Sequence, residues 1–208
     1  MRETYFVRTE FIEAIKEHQA AYALELDQPS IELLSDHYDL VQRHNPNLHL
    51  VAPCSAEEFA QRHTLESLTL IGHLPPHAVF TDVGPGGGFP SLPCLIARND
   101  LSADLIEAKE KKARFLASAA KSLGLEERVE VIARQFQELR DRKYPIITCR
   151  ALEKFGERLP YLLKRFSPEL MFLFGGPVLA DRLAEMSLRF ESRLLPLSRE
   201  RFLFIVRT

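Results

Sequence analysis

The sequence of 208 residues lacks the marks of a membrane-spanning or disulfide-stabilised protein. No apolar run approaches the roughly 18 residues that a transmembrane helix requires. The stretch from Met1 to Phe11 carries acids and bases where a signal peptide would have an apolar segment. The three cysteines, Cys54, Cys94 and Cys149, are widely spaced, and no two have the spacing of zinc ligands. We therefore predict a cytoplasmic protein without membrane, metal or disulfide framework, and we expect a monomer.

An excess of basic residues is also missing. Lysine and arginine number 27 against 29 aspartates and glutamates, which gives a formal net charge of −2. Nucleic-acid-binding domains usually carry a strong basic excess, so the overall charge does not indicate such a partner. It leaves room for a local basic face. The hydrophobic content of 46% suffices for the core of one ordinary domain.

Apolar periodicity and turn residues predict an N-terminal helical segment, 1–75, followed by an α/β domain, 76–208. The N-terminal segment contains no convincing strand. Its three predicted helices cover 9–26, 31–44 and 55–71, and Ser55 with Glu58 forms a capping box that opens the third. Breaks are predicted at 28–30 and 45–47, where prolines stand.

Strands and helices alternate in the second part of the chain. The predicted strands are 78–83, 103–106, 129–133, 144–149, 169–174, 191–197 and 201–206. The predicted helices are 89–98, 109–123, 153–166 and 178–188. This alternation indicates a Rossmann-like parallel sheet. The last two strands are too close together for a helix to join them, so we expect a seven-stranded, mostly parallel sheet whose last strand is antiparallel.

A glycine-rich turn follows the first predicted strand and precedes a helix. Side chains at Gly84, Gly86 and Gly88 would block the approach of a cofactor to the backbone. A dinucleotide fingerprint needs its third glycine at the position of Phe89, and no Gly-Lys-Ser/Thr follows for a P-loop. Asp82 before the first glycine fits the pattern D-x-G-x-G-x-G, which is typical of proteins that bind S-adenosylmethionine. An acid there could hold the ammonium group of that cofactor.

A second acid supports a cofactor with a ribose. Glu107 ends the second predicted strand, 23 residues after Gly84. A carboxylate in this place accepts hydrogen bonds from both ribose hydroxyls. The alternative is a tight surface turn beside a solvated acid, which the strand context and the preceding Asp82 make less favoured.

Several motifs in register resemble one family. Asp82–Pro90 (DVGPGGGFP) resembles its D-[IV]-G-[ST]-G-x-G-[FL]-P, and Glu107–Leu116 (EAKEKKARFL) resembles its D-S-x-x-K-R-x-x-F-L. Arg62–Ser67 (RHTLES) is similar to R-H-x-x-D-S, and Thr148–Ala151 (TCRA) stands where the family has S-R-A. Glu200–Leu203 resembles the terminal strand. Between Tyr38 and Val206 the sequence thus resembles the bacterial 16S ribosomal RNA guanine-N7 methyltransferases, also called glucose-inhibited division protein B.

The resemblance implies a class I S-adenosylmethionine-dependent methyltransferase, with 76–208 as the methyltransferase domain and 16S ribosomal RNA or the small ribosomal subunit as partner. The cofactor-binding residues that it implies are Gly84, Gly86, Gly88, Phe89, Glu107, Gln135, Phe136 and Arg150. Arg150 is implied as the catalytic residue, over the cofactor and the target base. The implied RNA contacts are Arg62, His63, Lys111 and Lys112.

Three positions depart from the family pattern. Asn47-Leu48-His49 replaces Asn-Leu-Thr, Gln135-Phe136 replaces Ala/Val-Glu, and Phe174-Gly175 replaces Lys-Gly. The missing Lys removes a cation that could contact RNA or the target. The cofactor site is unaffected, but the exact substrate stays open.

Methyl transfer to guanine N7 needs no general base, because N7 already carries an in-plane lone pair. The protein has only to align the reactants and exclude water. Cys149 is placed where a nucleophile for cytosine C5 methylation would stand, but no proline precedes it. Two other functions remain open: a methyltransferase of the same fold for a small molecule or protein, and a non-catalytic module that binds nucleotide or RNA. A basic, open face around the pocket would favour the RNA substrate.

Overall fold

Seven strands form a single sheet in the computed structural model, which describes residues 2–139, 143–150 and 155–208. The order of the strands is β3-β2-β1-β4-β5-β7-β6. Their bounds are β1 Val79–Val83, β2 Ser102–Ile106, β3 Val129–Ile132, β4 Ile146–Arg150, β5 Leu170–Gly175, β6 Arg189–Leu194 and β7 Phe202–Arg207. Only β7 runs against its neighbours, β5 and β6. The predicted Rossmann-like sheet with an antiparallel last strand is therefore confirmed.

Helices connect the parallel strands and cover the sheet. They are α5 Ser91–Ala97, α6 Glu110–Ser122, α7 Phe155–Phe166 and α8 Pro177–Glu185. The predicted start of the third of these, at 153, lies outside the described residues. The strands that follow β1 along the chain are added first on one side of it, beginning with β2, and then on the other side, beginning with β4. In open parallel sheets, ligands bind at the carboxyl ends of the strands on either side of such a switch point.

The N-terminal segment is helical as predicted, but its second helix is longer. The first helices are α1 Arg2–His18 and α2 Gln28–Leu48, with a 3₁₀ turn at Gln19–Tyr22. Both predicted breaks were wrong, because 28–30 and 45–47 lie inside α2. Asp27 caps this helix by accepting a 2.8 Å hydrogen bond from the Ser30 backbone N–H, and Pro29 fits the first turn. Pro46 is tolerated because the helix ends two residues later.

The third predicted helix is interrupted by a π-helical stretch. Ser55 caps it, as predicted, by accepting a hydrogen bond from the Glu58 backbone N–H. The segment is then divided into α3 Ala56–Phe59, a π-helical stretch Ala60–Leu65, and α4 Glu66–Leu68. Such π-helical insertions are frequent at functional sites.

One hydrophobic cluster contains side chains from the N-terminal helices and from the sheet. Phe11 of α1 stacks on Tyr38 of α2 with ring centroids 4.6 Å apart. Phe59 packs edge-on against Tyr38 and, at 5.6 Å, against Phe89 of the glycine turn. The helices are thereby fixed against the carboxyl edge of the sheet. The division of the chain at residue 75 stays a prediction.

Candidate functional site

A cavity of about 570 Å³ opens at the carboxyl ends of β1, β2 and β4. Val83, Ile106 and Arg150, the last residues of these three strands, line it. The glycine turn forms one wall, and the 50–52 stretch from the N-terminal segment forms another. The volume lies in the range of small-molecule sites, about 300 to 1,000 Å³. The switch point of the sheet therefore carries a site large enough for a nucleoside-containing cofactor.

The glycines of the turn have left-handed backbone angles, and two of them, Gly86 and Gly88, have different surroundings. The φ angles of Gly84, Gly86 and Gly88 are 77°, 55° and 92°. A Cβ atom on Gly88 would lie 2.5 Å from Cδ1 of Leu92, so this glycine allows α5 to pack against the turn. A Cβ atom on Gly86 would meet only the backbone oxygen of Leu50, at 3.8 Å. Gly86 thus leaves the cavity open, whereas Gly88 is required for packing.

Glu107 is held at the cavity by two backbone groups. Its Oε2 accepts a 3.3 Å hydrogen bond from the N–H of Gly86, and its Oε1 accepts a 2.9 Å hydrogen bond from the N–H of Lys109. The residue is only 6% exposed. Each carboxylate oxygen can accept a further hydrogen bond. The carboxylate is therefore fixed in place with acceptor capacity left for a ligand.

Asp82 lies among the buried side chains rather than among the residues that line the cavity. Its Oδ2 accepts a 2.6 Å hydrogen bond from the Ser91 hydroxyl, and its Oδ1 has no partner among the described residues. Burial raises the pKa of Asp82 to about 8, although the Ser91 hydrogen bond opposes this shift. The sequence predicted that this acid holds the cofactor's ammonium group. The structure places it where it joins the end of β1 to the start of α5, and a contact with the cofactor stays a prediction.

His37 of α2 contacts the glycine turn, although no sequence motif includes it. Its Nε2 lies 2.8 Å from the carbonyl oxygen of Gly87 in the glycine turn. The imidazole is fully buried, and this burial lowers the pKa of His37 to about 4. A neutral ring therefore donates Nε2–H to an oxygen that can only accept. A lone histidine in an amphipathic helix carries no local signal of this role.

Arg150 lines the cavity, but its guanidinium is bound to the N-terminal segment. Its Nη2 lies 3.0 Å from Oε2 of the buried Glu66 and also donates to the carbonyl oxygen of Arg62. Its Nη1 lies 3.3 Å from the Ser67 hydroxyl. The other oxygen of Glu66 accepts a 2.7 Å hydrogen bond from Nε of Arg201. Glu66 of α4 therefore joins the end of β4 to the start of β7 beside the cavity. The catalytic role of Arg150 stays a prediction.

The candidate nucleophile Cys149 is buried and does not line the cavity. Its Sγ donates to the carbonyl oxygen of Val83 at 3.3 Å, inside the sheet. A thiol in this position cannot attack a base in the cavity. The interpretation of Cys149 as a cytosine-methylating nucleophile is therefore not supported.

The family model for rRNA small subunit methyltransferase G matches residues 30–191 of the chain. The chain belongs to this family. A protein of Chromobacterium violaceum named Ribosomal RNA small subunit methyltransferase G is 35% identical over 144 residues, 69% of this chain and 68% of its own length. The protein of that name in Halorhodospira halophila is 34% identical over 164 residues, 78% of each chain. In Sorangium cellulosum the identity is 33% over 84% of this chain and 76% of the relative. The predicted family and enzyme class, an rRNA methyltransferase, are confirmed.

Solved structures agree with the fold. A SAM-dependent methyltransferase from Aquifex aeolicus matches with a TM-score of 0.56 and 17% identity, over 82% of this chain and 97% of that chain. A ribosomal protein L11 methylase from Lactobacillus delbrueckii matches with a TM-score of 0.56 and 18% identity, over 71% and 79% of the two chains. At these identities the likeness extends to the fold alone.

The chain departs from the methyltransferase G pattern at Phe174, where the pattern has Lys. The Phe174 ring contacts a neighbouring arginine. The guanidinium carbon of Arg150 lies 5.4 Å from the centroid of the Phe174 ring. Such a cation–π contact adds about 0.5 to 2 kcal/mol. Phe174 thus stabilises the neighbouring Arg150 cation, whereas a Lys in its place would itself be a cation.

The four predicted RNA contacts are divided between the cavity and the surface. His63 lines the cavity, with its ring centroid 5.4 Å from that of Phe89. Burial, with a smaller contribution from Arg150 and Arg62, lowers the pKa of His63 to about 3. Lys112 also lines the cavity, and its Nζ donates to the His49 carbonyl oxygen at 3.0 Å. Arg62 pairs with Glu58 on the surface, and Lys111 is exposed on α6 outside the lining.

The predicted adenine contacts follow β3 and line the cavity. Phe136 is 4% exposed and begins a 3₁₀ turn, Phe136–Glu138, whereas Gln135 is exposed. The cofactor residues Gly84, Gly86, Phe89, Glu107 and Arg150 line the same cavity. Gly88 is not among the lining residues. The structure therefore brings most of the predicted cofactor residues together, and their contact with a cofactor stays a prediction.

The 50–52 stretch forms a wall of the cavity that no sequence motif predicts. Oδ1 of Asn45 accepts hydrogen bonds from the N–H groups of Leu50 and Val51, at 2.7 and 3.0 Å. Its Nδ2 donates to the Val51 carbonyl oxygen at 3.1 Å. Asn45 thus folds the chain back after α2 and sets Leu50, Val51 and Ala52 against the cavity.

Basic side chains are concentrated at the cavity. Five of them line it, namely Lys109, Lys112, Arg134, Arg150 and Arg158. Glu107 is the one acid among the lining residues that the structure describes. A chain with a net charge of −2 therefore carries a local basic face around its site.

Neither a metal cluster nor a membrane-spanning helix is found in the described ranges. No helix there has both the length and the apolar character needed to cross a bilayer. No three His, Cys, Asp or Glu side chains of these ranges are grouped as metal ligands. The cytoplasmic location and the monomeric state stay predictions.

Proposed function

We propose that this protein transfers a methyl group from S-adenosylmethionine to N7 of a guanine in 16S ribosomal RNA. The observation that carries the proposal is the cavity at the sheet's switch point, where the open Gly86 and the fixed Glu107 carboxylate lie among five basic side chains. Membership of the methyltransferase G family supports the same reaction class.

The residues of the cavity fit S-adenosylmethionine. Gly84 and Gly86, which have no side chains, line the cavity and would face the amino-acid end of the cofactor. Glu107 would accept hydrogen bonds from the ribose hydroxyls, since both of its oxygens retain acceptor capacity. The backbone at Gln135 and the ring of Phe136 would contact the adenine. Bound there, the cofactor supplies a methyl group on a sulfonium, an electrophile that needs no metal.

The described lining contains no residue suited to act as a general base at neutral pH, which agrees with N7 chemistry. The low pKa of His63 makes its imidazole a weak base. Glu107 accepts from two backbone N–H groups, and its remaining acceptor capacity would be taken by the ribose hydroxyls. The protein therefore has only to align the guanine with the methyl carbon and to exclude water. The apolar side chains of Phe89, Val51 and Leu50 line the cavity and help to exclude water.

The basic lining favours RNA over a small neutral substrate. RNA phosphates are attracted by clustered Lys and Arg even where the overall charge of the protein is slightly negative. Lys109 and Arg134 both line the cavity, next to the predicted cofactor residues. The relatives' name, a ribosomal RNA small subunit methyltransferase, agrees with this substrate class.

The test is transfer of radiolabelled methyl from S-adenosylmethionine to small ribosomal subunits that lack N7-methylguanine, with the modified site mapped. Label on one guanine N7 supports the proposal. Label on another atom, or no label although S-adenosylhomocysteine binds, overturns the substrate and favours a small-molecule or protein substrate, or a binding module without turnover. Binding of NAD without binding of S-adenosylhomocysteine overturns the cofactor.

A pair of variants ties the activity to the cavity. Glu107→Ala removes the ribose acceptors and should weaken S-adenosylhomocysteine binding at least about tenfold, since hydrogen bonds to a charged group contribute roughly 1.5 to 3 kcal/mol each. Glu110→Ala is the matched control, because Glu110 is an exposed acid three residues along the chain that does not line the cavity. Equal affinities of the two variants would contradict the placement of the cofactor.

A further inference from the structure

We infer that one edge of α7, formed by Arg158, Tyr161 and Arg165, binds the RNA nucleotides next to the target guanine. The inference rests on the proposed function, and it adds a surface that the motif positions do not include. We call these three residues the α7 edge.

Helical spacing brings the three side chains to one side of α7. Residues at i, i+3 and i+7 lie near one another on a helix with 3.6 residues per turn. The adjacent side packs into the core through Leu159, Leu162 and Phe166, which are at most 2% exposed. Arg158 and Arg165 are half-buried at the border of this packed side, and Tyr161 lies further out. The α7 edge is thus a continuous line along the border between core and solvent.

This line begins at the cavity. Arg158 is one of the lining residues, whereas Tyr161 and Arg165 lie about 5 and 10 Å further along the helix axis at 1.5 Å per residue. A polynucleotide with one base in the cavity must continue over the surface in both directions. The α7 edge gives it a path away from the cavity, and α7 packs in a different hydrophobic cluster from α6.

Tyr161 is suited to stack on a base. It is 65% exposed, and it is the one aromatic side chain more than half exposed among those whose burial the structure describes. No described ring or hydrogen-bonding group contacts it. An exposed aromatic ring without a described contact is available to stack on another ring. Bases of single-stranded RNA commonly stack on such rings, at about 1 to 3 kcal/mol per base.

Arg165 supports an anionic partner independently. Its Nε and Nη2 atoms are buried and have no hydrogen-bond acceptor among the described residues. An unpaired buried donor of this kind costs roughly 1 to 3 kcal/mol. A phosphate matches the fork of a guanidinium with two acceptors, and a rotation of the half-buried side chain would present this fork at the surface. The charged side chains of 157–166 number three basic and one acidic, so the net charge of this stretch also suits a polyanion.

The first test compares Tyr161→Ala with Tyr161→Phe in the methyl-transfer assay. Tyr161→Ala should raise the KM for the small subunit about tenfold and leave kcat and S-adenosylhomocysteine affinity unchanged, because only stacking is lost. Tyr161→Phe keeps the ring and should restore the wild-type KM. Val178→Ala is the control for loss of an exposed apolar side chain elsewhere, since Val178 is 81% exposed on α8.

The second test measures how RNA affinity depends on salt. Each phosphate contact on a single strand contributes about −0.7 to the slope of log K against log salt. The double variant Arg158→Gln, Arg165→Gln should therefore reduce the magnitude of the slope by about 1.4, whereas Arg189→Gln, an exposed arginine of β6, should leave it unchanged.

The outcomes separate this inference from the proposed function. An active wild-type protein whose KM and salt slope do not respond to the α7 variants overturns the inference and leaves the proposed function standing. A wild-type protein that binds S-adenosylhomocysteine but methylates no RNA overturns both.

Discussion

The Nε2 atom of His37 lies 2.8 Å from the carbonyl oxygen of Gly87, so an N-terminal helix holds the glycine turn of the cavity in place. The two residues are 50 positions apart in the chain. His37→Phe removes the donor and leaves a buried carbonyl unpaired. We expect it to weaken S-adenosylhomocysteine binding about tenfold in calorimetry, since an unpaired buried acceptor costs roughly 1 to 3 kcal/mol.

His37→Gln is the conservative counterpart, because its amide can donate to the same carbonyl oxygen. This variant should bind S-adenosylhomocysteine within about threefold of the wild type. If both variants bind like the wild type, the hydrogen bond does not position the turn.

The same histidine makes stability depend on pH. Burial lowers the pKa of His37 from 6.5 to about 4, so between these values the unfolded chain takes up a proton that the folded chain does not. The contribution of His37 to the free energy of unfolding is therefore fully present above pH 6.5. It is lost as the pH falls towards 4, and the loss amounts to roughly 3 kcal/mol. The free energy of unfolding, measured in urea at pH 7 and pH 4.5, should fall by about 2 to 3 kcal/mol more in the wild type than in His37→Gln.

His63, whose pKa is also lowered, stays in both proteins, so the difference between them isolates His37. An identical pH dependence of the two proteins would show that His37 is not protonated on unfolding in this range.

Glu66 should be among the most sensitive acids of the chain. It is 1% exposed and pairs with Arg150 at 3.0 Å and Arg201 at 2.7 Å. Glu66→Gln leaves two arginines facing each other without a neutralising charge. The free energy of unfolding should drop by about 3 to 5 kcal/mol.

Glu58→Gln provides the comparison, since Glu58 pairs with Arg62 on the surface and an exposed pair contributes about 0 to 1 kcal/mol. Similar losses in the two variants, measured by denaturant unfolding, would mean that the buried position of Glu66 adds nothing.

Two glycines of the turn should respond in opposite ways. Gly86→Asp should lower the free energy of unfolding by only about 1 kcal/mol, the low end of the cost of a left-handed residue, because aspartate tolerates a φ of 55° and a Cβ there meets only Leu50. It should abolish S-adenosylhomocysteine binding, since its carboxylate enters the cavity beside Glu107. Gly88→Ala should instead destabilise the fold by at least about 2 kcal/mol, because its Cβ would lie 2.5 Å from the Leu92 side chain.

Calorimetry and denaturant unfolding on both proteins check this prediction. Retained binding by Gly86→Asp would mean that the ligand does not contact the turn. An unperturbed Gly88→Ala would show that Leu92 moves aside at no cost.

Local sequence features predicted the structure correctly where it depends on residues that are neighbours along the chain. The alternation of apolar runs and turns predicted all seven strands and the antiparallel end of the sheet. The spacing of Gly84, Gly86 and Gly88 predicted the turn, because positive φ angles are a property of single residues. Pro46 misled the prediction, since a proline in the last turn of a helix interrupts little when the side chain of Asn45 takes over the turn that follows.

What the sequence by itself determined is therefore the order of the elements, the glycine turn, the acid at Glu107 and the family. Tertiary structure alone decided how the site is held: His37 on Gly87, Glu66 between Arg150 and Arg201, and Asp82 buried against Ser91. These contacts join residues up to 135 positions apart, and no local pattern records them. They depend on which faces of the helices meet the sheet edge, and this is settled by the packing of the whole core.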